Sequence, residues 1–255
     1  MSTSTDGPSS PAGQLAHICI EGNFNDDANI RELASVSDVL TTEIEHVNVS
    51  TLAELASSGH IVHPDSTTLK TIQDKLYQKV YLRDRDVPVT DFLKVQNIHD
   101  AEEAGKRFGY PFVLKNRKLA HDGRGNAVIN AASELTAQFA RLGEVGLYAE
   151  RLVPFAKELA VMVVRSNEGI ATYPVVETVQ QNAVCHLVIA PANVSPSVER
   201  TALEVARSAI ECFSGLGVYG VEMFLLHDDS VLVNEIAPRF ALIHTFFCCS
   251  KFRLH

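Results

Sequence analysis

Between residues 147 and 190 the chain passes through four apolar stretches, LYAERLV, ELAVMVVRS, IATYPVVETV and VCHLVIA, with no helical period among them. Such a run reads as all strand, so any fold for this chain must hold a sheet to which this segment contributes heavily. The chain beyond residue 190 alternates. Pro196 opens a helix behind Ser195 as its cap, and Val198, Ala202, Val205, Ala206, Ala209, Ile210 and Phe213 give that helix an apolar stripe. Two strands come next, GVYGVEMFLL and VLVNEIA, joined by His227-Asp228-Asp229-Ser230. Upstream, residues 27–36 read as a helix, 38–44 as a strand and 50–58 as a helix ending at Gly59, an alternation that predicts a small parallel α/β layer. A long helix is expected over 66–85, broken near Gln73 and stopped by Pro88. Residues 92–95 read as a strand, 99–109 as a helix, 112–116 as a strand, 118–126 as a polar glycine-bearing loop and 132–142 as a helix. The first fourteen residues, rich in Ser, Thr, Pro and Gly, are expected to be disordered.

Composition narrows the functional classes. The net charge of −9 argues against general nucleic-acid or membrane-surface binding, although a phosphate site needs only a few local cations and N–H groups. No apolar run reaches the roughly 18 residues of a membrane span, and the polar N-terminus lacks the apolar core of a secretory signal. The five cysteines, Cys19, Cys185, Cys212, Cys248 and Cys249, show no zinc-type spacing and read as reduced thiols, which makes the cytoplasm the expected compartment.

The most informative chemistry lies in the last two strands. Glu222 and Glu235 are equally distant from Asp228-Asp229, so a tight turn there makes them a directly opposed cross-strand pair. Both are flanked by apolar residues. Two facing, partly buried carboxylates repel, and a hard cation such as Mg²⁺, which takes one or two carboxylates plus phosphate oxygens, removes the repulsion. The alternative is an edge hairpin with exposed glutamates in another register. Asn234 and Arg239 stand close by. Lys115 ends an apolar strand, where its charge is costly unless an anion meets it. The next segment, His121-Asp122-Gly123-Arg124-Gly125, would let main-chain N–H groups close over phosphates, although Asp-Gly-x-Gly is also an ordinary hairpin connection. Glu150 and Glu158 each sit in strand-like surroundings and, seen singly, read as surface positions.

Taken in order, a lysine on a strand, a glycine-bearing loop, Glu-Arg-Leu-Val, and two glutamates on a terminal hairpin ending Asn-Glu-Ile-Ala-Pro-Arg resemble the ATP-grasp superfamily. The likeness is greatest to the carboxyaminoimidazole ribonucleotide synthase part of fungal phosphoribosylaminoimidazole carboxylases. It rests on Thr42–Val47, Ile72–Lys75, Tyr110–Lys115, Tyr173–Glu177 and Val233–Arg239.

The resemblance implies an α/β (α+β) ATP-grasp fold over 65–239, preceded by a truncated parallel pre-ATP-grasp domain over 15–64 and followed by an atypical tail at 240–255. It further implies that Lys75 and Lys115 contact ATP phosphates, with Lys115 and Arg239 as catalytic residues. Ala120 to Asn126 (His121, Asp122, Gly123, Arg124, Gly125 and Asn126 among them) would cover the phosphates. Glu150, Arg151, Leu152 and Val153 would hold the adenine, Glu158 the ribose, and Glu222 and Glu235 Mg²⁺, with Asn234 beside them. The implied reaction is ATP-driven carboxylation of aminoimidazole ribonucleotide by bicarbonate in purine biosynthesis, and a homodimer is among the implied assemblies. Two departures lead us to expect a chain shortened at both ends: the family's opening glycine-rich turn is absent, and Phe240-Ala241-Leu242-Ile243-His244 replaces the run that handles the ribonucleotide.

Overall fold

The computed structural model describes residues 13–119, 125–143, 146–181 and 184–239, with the backbone of 3–4. Within the segment expected to lack order, Thr3–Ser4 forms β1, paired in parallel with β2 (Ile18–Cys19). The expectation fails at these two residues because strand addition uses main-chain groups, which a polar composition leaves intact. The remaining N-terminal elements are α1 (Asp27–Ser35), β3 (Val39–Thr41), α2 (Val49–Ser57), β4 (Ile61–His63) and α3 (Ser66–Gln73). Strands β3 and β4 are parallel, and Ile30, Leu40, Leu52, Leu55 and Leu69 form the core beneath them. The strand expected over 38–44 stops at Thr41. Its partner β4 is only three residues long, so the ladder ends at Thr41–His63, and beyond the expected strand the Gln73 side chain donates to the carbonyls of Glu45 (2.6 Å) and Val47 (2.7 Å).

The expected break near Gln73 is real. Asp74 is extended and caps α4 (Lys75–Arg83) by accepting from the Tyr77 N–H at 3.1 Å. A four-stranded antiparallel sheet comes after it, built from β5 (Phe92–Val95), β6 (Phe112–Asn116), β7 (Asn126–Ile129) and β8 (Leu147–Arg151) in the order β5-β8-β6-β7. Helices α5 (Ile98–Phe108) and α6 (Leu135–Leu142) cover it through Ala101, Ala104, Phe108 and Phe139.

The larger sheet contains β9 (Phe155–Ser166), β10 (Gly169–Thr172), β11 (Val176–Gln181), β12 (Val184–Ile189), β13 (Gly217–Leu226) and β14 (Val231–Ala237). Its order is β12-β11-β9-β13-β14, with β10 paired to β9, and every pairing is antiparallel. Helix α7 (Pro196–Glu211) lies between β12 and β13 in sequence and packs its stripe on one face, against Leu159, Val161, Val163, Val221, Met223 and Val233. Ser195 caps it, as expected, through a 3.3 Å bond from the Val198 N–H. Truncating a fully buried residue of this stripe such as Ile210 to Ala costs about 2–5 kcal/mol. The opposite face carries only a small apolar patch of Ala160, Met162, Val176 and Val188, which leaves room on that face for charged side chains. Among the described residues no helix is long and apolar enough to cross a membrane.

Candidate functional site

Glu222 and Glu235 are direct partners across β13 and β14, although not by the route the sequence suggested. The connection is not a two-residue turn at Asp228-Asp229. Leu226 N–H donates to the Ser230 carbonyl at 2.9 Å, Asp229 has φ of 67°, and Leu225 pairs with Val231 and Met223 with Val233. That register, continued, would set Glu222 opposite Asn234. A bulge intervenes: Asn234 is the extra residue, and the ladder resumes with Glu222 opposite Glu235. Val233 and Ile236 both lie in the α7 core, so Asn234 and Glu235 share the face turned away from it. On β9 the residue opposite Glu222 is Ala160, and Glu158 lies two positions along the same face.

Three lysines and an arginine converge on this face. Lys75, the first residue of α4, places its ammonium 2.5 Å from Glu235 Oε2. Lys115 on β6 places its ammonium 2.5 Å from Glu150 Oε2 on β8. Lys79, one turn beyond Lys75, reaches Glu150 Oε1 at 2.5 Å and donates to Thr90 Oγ1 at 2.8 Å, while the Thr90 hydroxyl donates to the same carboxylate. Arg239 pairs with Glu45. Behind these groups Arg117 grips Asp74 with Nε and Nη2 at 3.0 and 2.5 Å.

The electrostatics follow from burial and partner. Burial opposes ionisation of Glu150, but Lys115 and Lys79 outweigh it and hold the carboxyl down at about 2. Burial works against the Lys75 ammonium too, yet Glu235 keeps its pKa above the ordinary lysine value. Glu235 is held low by the same pair against its own burial. Glu222 has no ion pair among the described residues, and burial, then the Glu235 charge, pushes it up to about 8. Two carboxylates on one face and at one position of the ladder repel when both are ionised, and a divalent cation between them removes that repulsion. These two side chains therefore suit a Mg²⁺ that draws its remaining ligands from phosphate oxygens. Among the described residues no three acidic, imidazole or thiol groups gather to hold a metal unaided.

The other expected site residues are spread over both sheets. Asn126 opens β7 opposite Lys115, and the Gly125 carbonyl accepts from the Asn116 N–H at 2.8 Å, so the glycine-bearing segment does connect a hairpin. His121, Asp122, Gly123 and Arg124 lie outside the described residues. Glu150 is buried, which corrects the surface reading: its strand is central and two lysines compensate its charge. The Arg151 side chain bonds Asp91 and the Phe108 carbonyl. Leu152 is exposed and, with Val153, links β8 to β9. Burial raises the Glu158 pKa, opposed by a hydrogen bond with Gln180. Sequence reasoning missed Lys79, Thr90 and Gln78. The signal was present in α4, where Lys75, Gln78 and Lys79 fall at i, i+3 and i+4 and so share one helix face.

Comparison with known proteins identifies the family and agrees with the fold. The model of the ATP-grasp domain matches residues 80–241, and that of the ribonucleotide synthetase preATP-grasp domain matches residues 2–73. The phosphoribosylaminoimidazole carboxylase of Schizosaccharomyces pombe is 45% identical over 238 residues, which cover 92% of this chain and 43% of that protein. The structure of carboxyaminoimidazole ribonucleotide synthase from Aspergillus clavatus complexed with ATP superposes with a TM-score of 0.89 at 39% identity, over 94% of this chain and 64% of that one. The A. clavatus structure in complex with ADP and 5-aminoimidazole ribonucleotide gives a TM-score of 0.87 at 38% identity, over 94% and 63%. The chain thus spans under half the length of the S. pombe relative.

Proposed function

The chain belongs to the ATP-grasp family, and from that premise we propose that it binds Mg-ATP on the face bearing Glu222 and Glu235 and uses it to carboxylate aminoimidazole ribonucleotide with bicarbonate. The observation that carries the reading is the opposed Glu222–Glu235 pair with the Lys75 ammonium against one member. Similarity to proteins solved with ATP, and with ADP and 5-aminoimidazole ribonucleotide, supports the choice of nucleotide and acceptor. The free thiols of Cys185 and Cys212 fit the reducing cytoplasm as the working compartment.

In this reading Glu222 and Glu235 hold Mg²⁺, which when bound neutralises charge on the transferring phosphoryl oxygens. Lys75 and Lys115 turn their ammonium groups to the phosphates, and Lys79 keeps Glu150 compensated while Lys115 does so. The exposed Leu152-Val153 connection offers main-chain groups to the adenine, and Glu158 accepts from the ribose hydroxyls. The γ-phosphoryl group passes to a bicarbonate oxygen with ADP as leaving group. The carboxyphosphate so formed yields its carboxyl group to the exocyclic amine, releasing phosphate and a proton. Arg239, partly exposed beside Glu45, supplies positive charge to the anionic carboxyl donor.

The test is ATP hydrolysis measured with and without the ribonucleotide and bicarbonate. Turnover that requires both is expected, and turnover indifferent to the ribonucleotide rejects the substrate assignment. A second reading is a nucleotide-binding module without catalysis, since the groups this face gathers, Glu222, Glu235, Lys75 and Lys115, are those assigned above to Mg-ATP. Stabilisation by Mg-ATP without turnover would select it.

A further inference from the structure

We propose that Lys75 stands in for the divalent cation when the nucleotide is absent, so that the metal enters only together with the triphosphate. The inference rests on the Mg-ATP reading above and concerns the order in which the site fills. Its basis is the contact at Glu235. One carboxylate oxygen of a candidate metal ligand lies 2.5 Å from an ammonium, with the two side chains only 19% and 31% exposed. A cation is already seated there. Glu222, directly opposite, has no such partner among the described residues. One ammonium thus serves two acids, which a doubly charged ion would serve better.

The location of Lys75 shows why it would leave for a triphosphate and not for the metal alone. It is the first residue of α4, where the positive end of the helix dipole disfavours a cation and favours an anion. With no anion present, Glu235 is the one ion-pair partner of this ammonium among the described residues. A free divalent ion must break that contact and leave the ammonium half-buried with only the more distant Glu45, itself paired with Arg239, as a counter-charge. A metal arriving with a triphosphate brings the replacement, because the phosphates receive the lysine as the carboxylate receives the metal. Lys115 is held the same way on Glu150. There Lys79 remains on the other oxygen to compensate the carboxylate once Lys115 moves, whereas no second lysine makes an ion pair with Glu235 among the described residues. Lys75 is therefore a positioning residue for the metal as well as a phosphate contact.

Mn²⁺ binding, followed by the electron paramagnetic resonance signal of the free ion, tests this without any turnover. The unaltered chain should bind Mn²⁺ weakly alone and at least tenfold more tightly with ATP. Lys75→Met should bind one Mn²⁺ without nucleotide at least tenfold more tightly than the unaltered chain, and Lys75→Gln should do the same should the first variant not fold. Lys75→Arg, which keeps the charge, should remain weak, and adding Glu235→Gln to Lys75→Met should abolish the gained site. Tight Mn²⁺ binding by the unaltered chain without ATP overturns the proposal, and so does a folded neutral variant that gains no affinity while the unaltered chain still binds Mn-ATP. Failure of the unaltered chain to bind Mn-ATP at all overturns instead the nucleotide reading on which the proposal stands.

Discussion

Glu150 shows how much of a site one residue organises and how little of that its own neighbourhood in sequence reveals. It is 2% exposed and ionised, with Lys79 on one oxygen and Lys115 on the other. Replacing it with Gln leaves the Lys79 charge buried against Thr90 alone, and loss of one member of a buried pair costs about 3–5 kcal/mol. Urea denaturation at neutral pH measures this. The sign of the pH dependence is set by the depressed carboxyl. Its contribution is complete above the ordinary value of 4.5 and is lost as pH falls through about 2. The gap in urea midpoint between the unaltered chain and Glu150→Gln should therefore shrink as pH drops across that window. Glu235→Gln is a different case. It removes the Lys75 ion pair but also the repulsion from Glu222, so the melting temperature should change little, while Mg²⁺-dependent ATP binding should weaken at least a hundredfold, which calorimetry reads directly. The sequence announced that the Lys115 charge needs an anion. It did not announce that Glu150 meets it, because an acidic residue inside an apolar strand carries no mark of a partner on another strand.

Hairpins and helix ends decide where such residues point. The pairing of Glu222 with Glu235 was legible from their equal distance to the turn, but the turn itself was not. The connection from Leu226 to Ser230 shifts the distal ladder by one residue, and the Asn234 bulge shifts it back. Two irregularities that cancel leave no trace in residue counting. Deleting Asn234 would leave Val233, Glu235 and Ile236 in plain alternation with Glu222 still opposite Glu235. The sheet therefore does not need the bulge, and bulges are frequent beside functional sites. The deletion should keep the fold, with a stability loss of about 1 kcal/mol or less, and weaken Mg-ATP binding at least tenfold; an unchanged affinity would remove Asn234 from the site. The α3–α4 break was legible because Gln73 and Asp74 interrupt an otherwise continuous apolar stripe. The early end of β3 was not, because it is set by the three-residue length of its partner β4, which no residue within 38–44 marks.

At the scale of the whole molecule α4 is the common support. Lys75 reaches β14, Lys79 reaches β8, and the Lys75 N–H donates to the Arg117 carbonyl at 2.8 Å, so one helix is tied to both sheets. Gln78 completes the tie. Its amide donates to the Ile236 carbonyl at 3.0 Å and accepts from the Ile236 N–H at 2.9 Å. Gln78→Leu strands two buried main-chain groups and should cost about 2–4 kcal/mol, with faster hydrogen exchange at Ile236 as its local mark. The layering of the molecule was legible in apolar periodicity. The tie was not, since a glutamine on an apolar helix says nothing about the strand it will brace.

The Gln78 amide imitates a neighbouring strand at the outer rim of the large sheet, and the Val233 N–H on the same rim is spoken for by the Pro88 carbonyl at 2.8 Å. At Val233 and Ile236, then, that rim already has its main-chain groups engaged. At the far side β12 ends the ladder, with Val184, Leu187 and Ile189 in contact with solvent. Pairing of two copies along β12 would use that border up, so self-association through β12 would stop at a closed pair and would not propagate from it into a fibre.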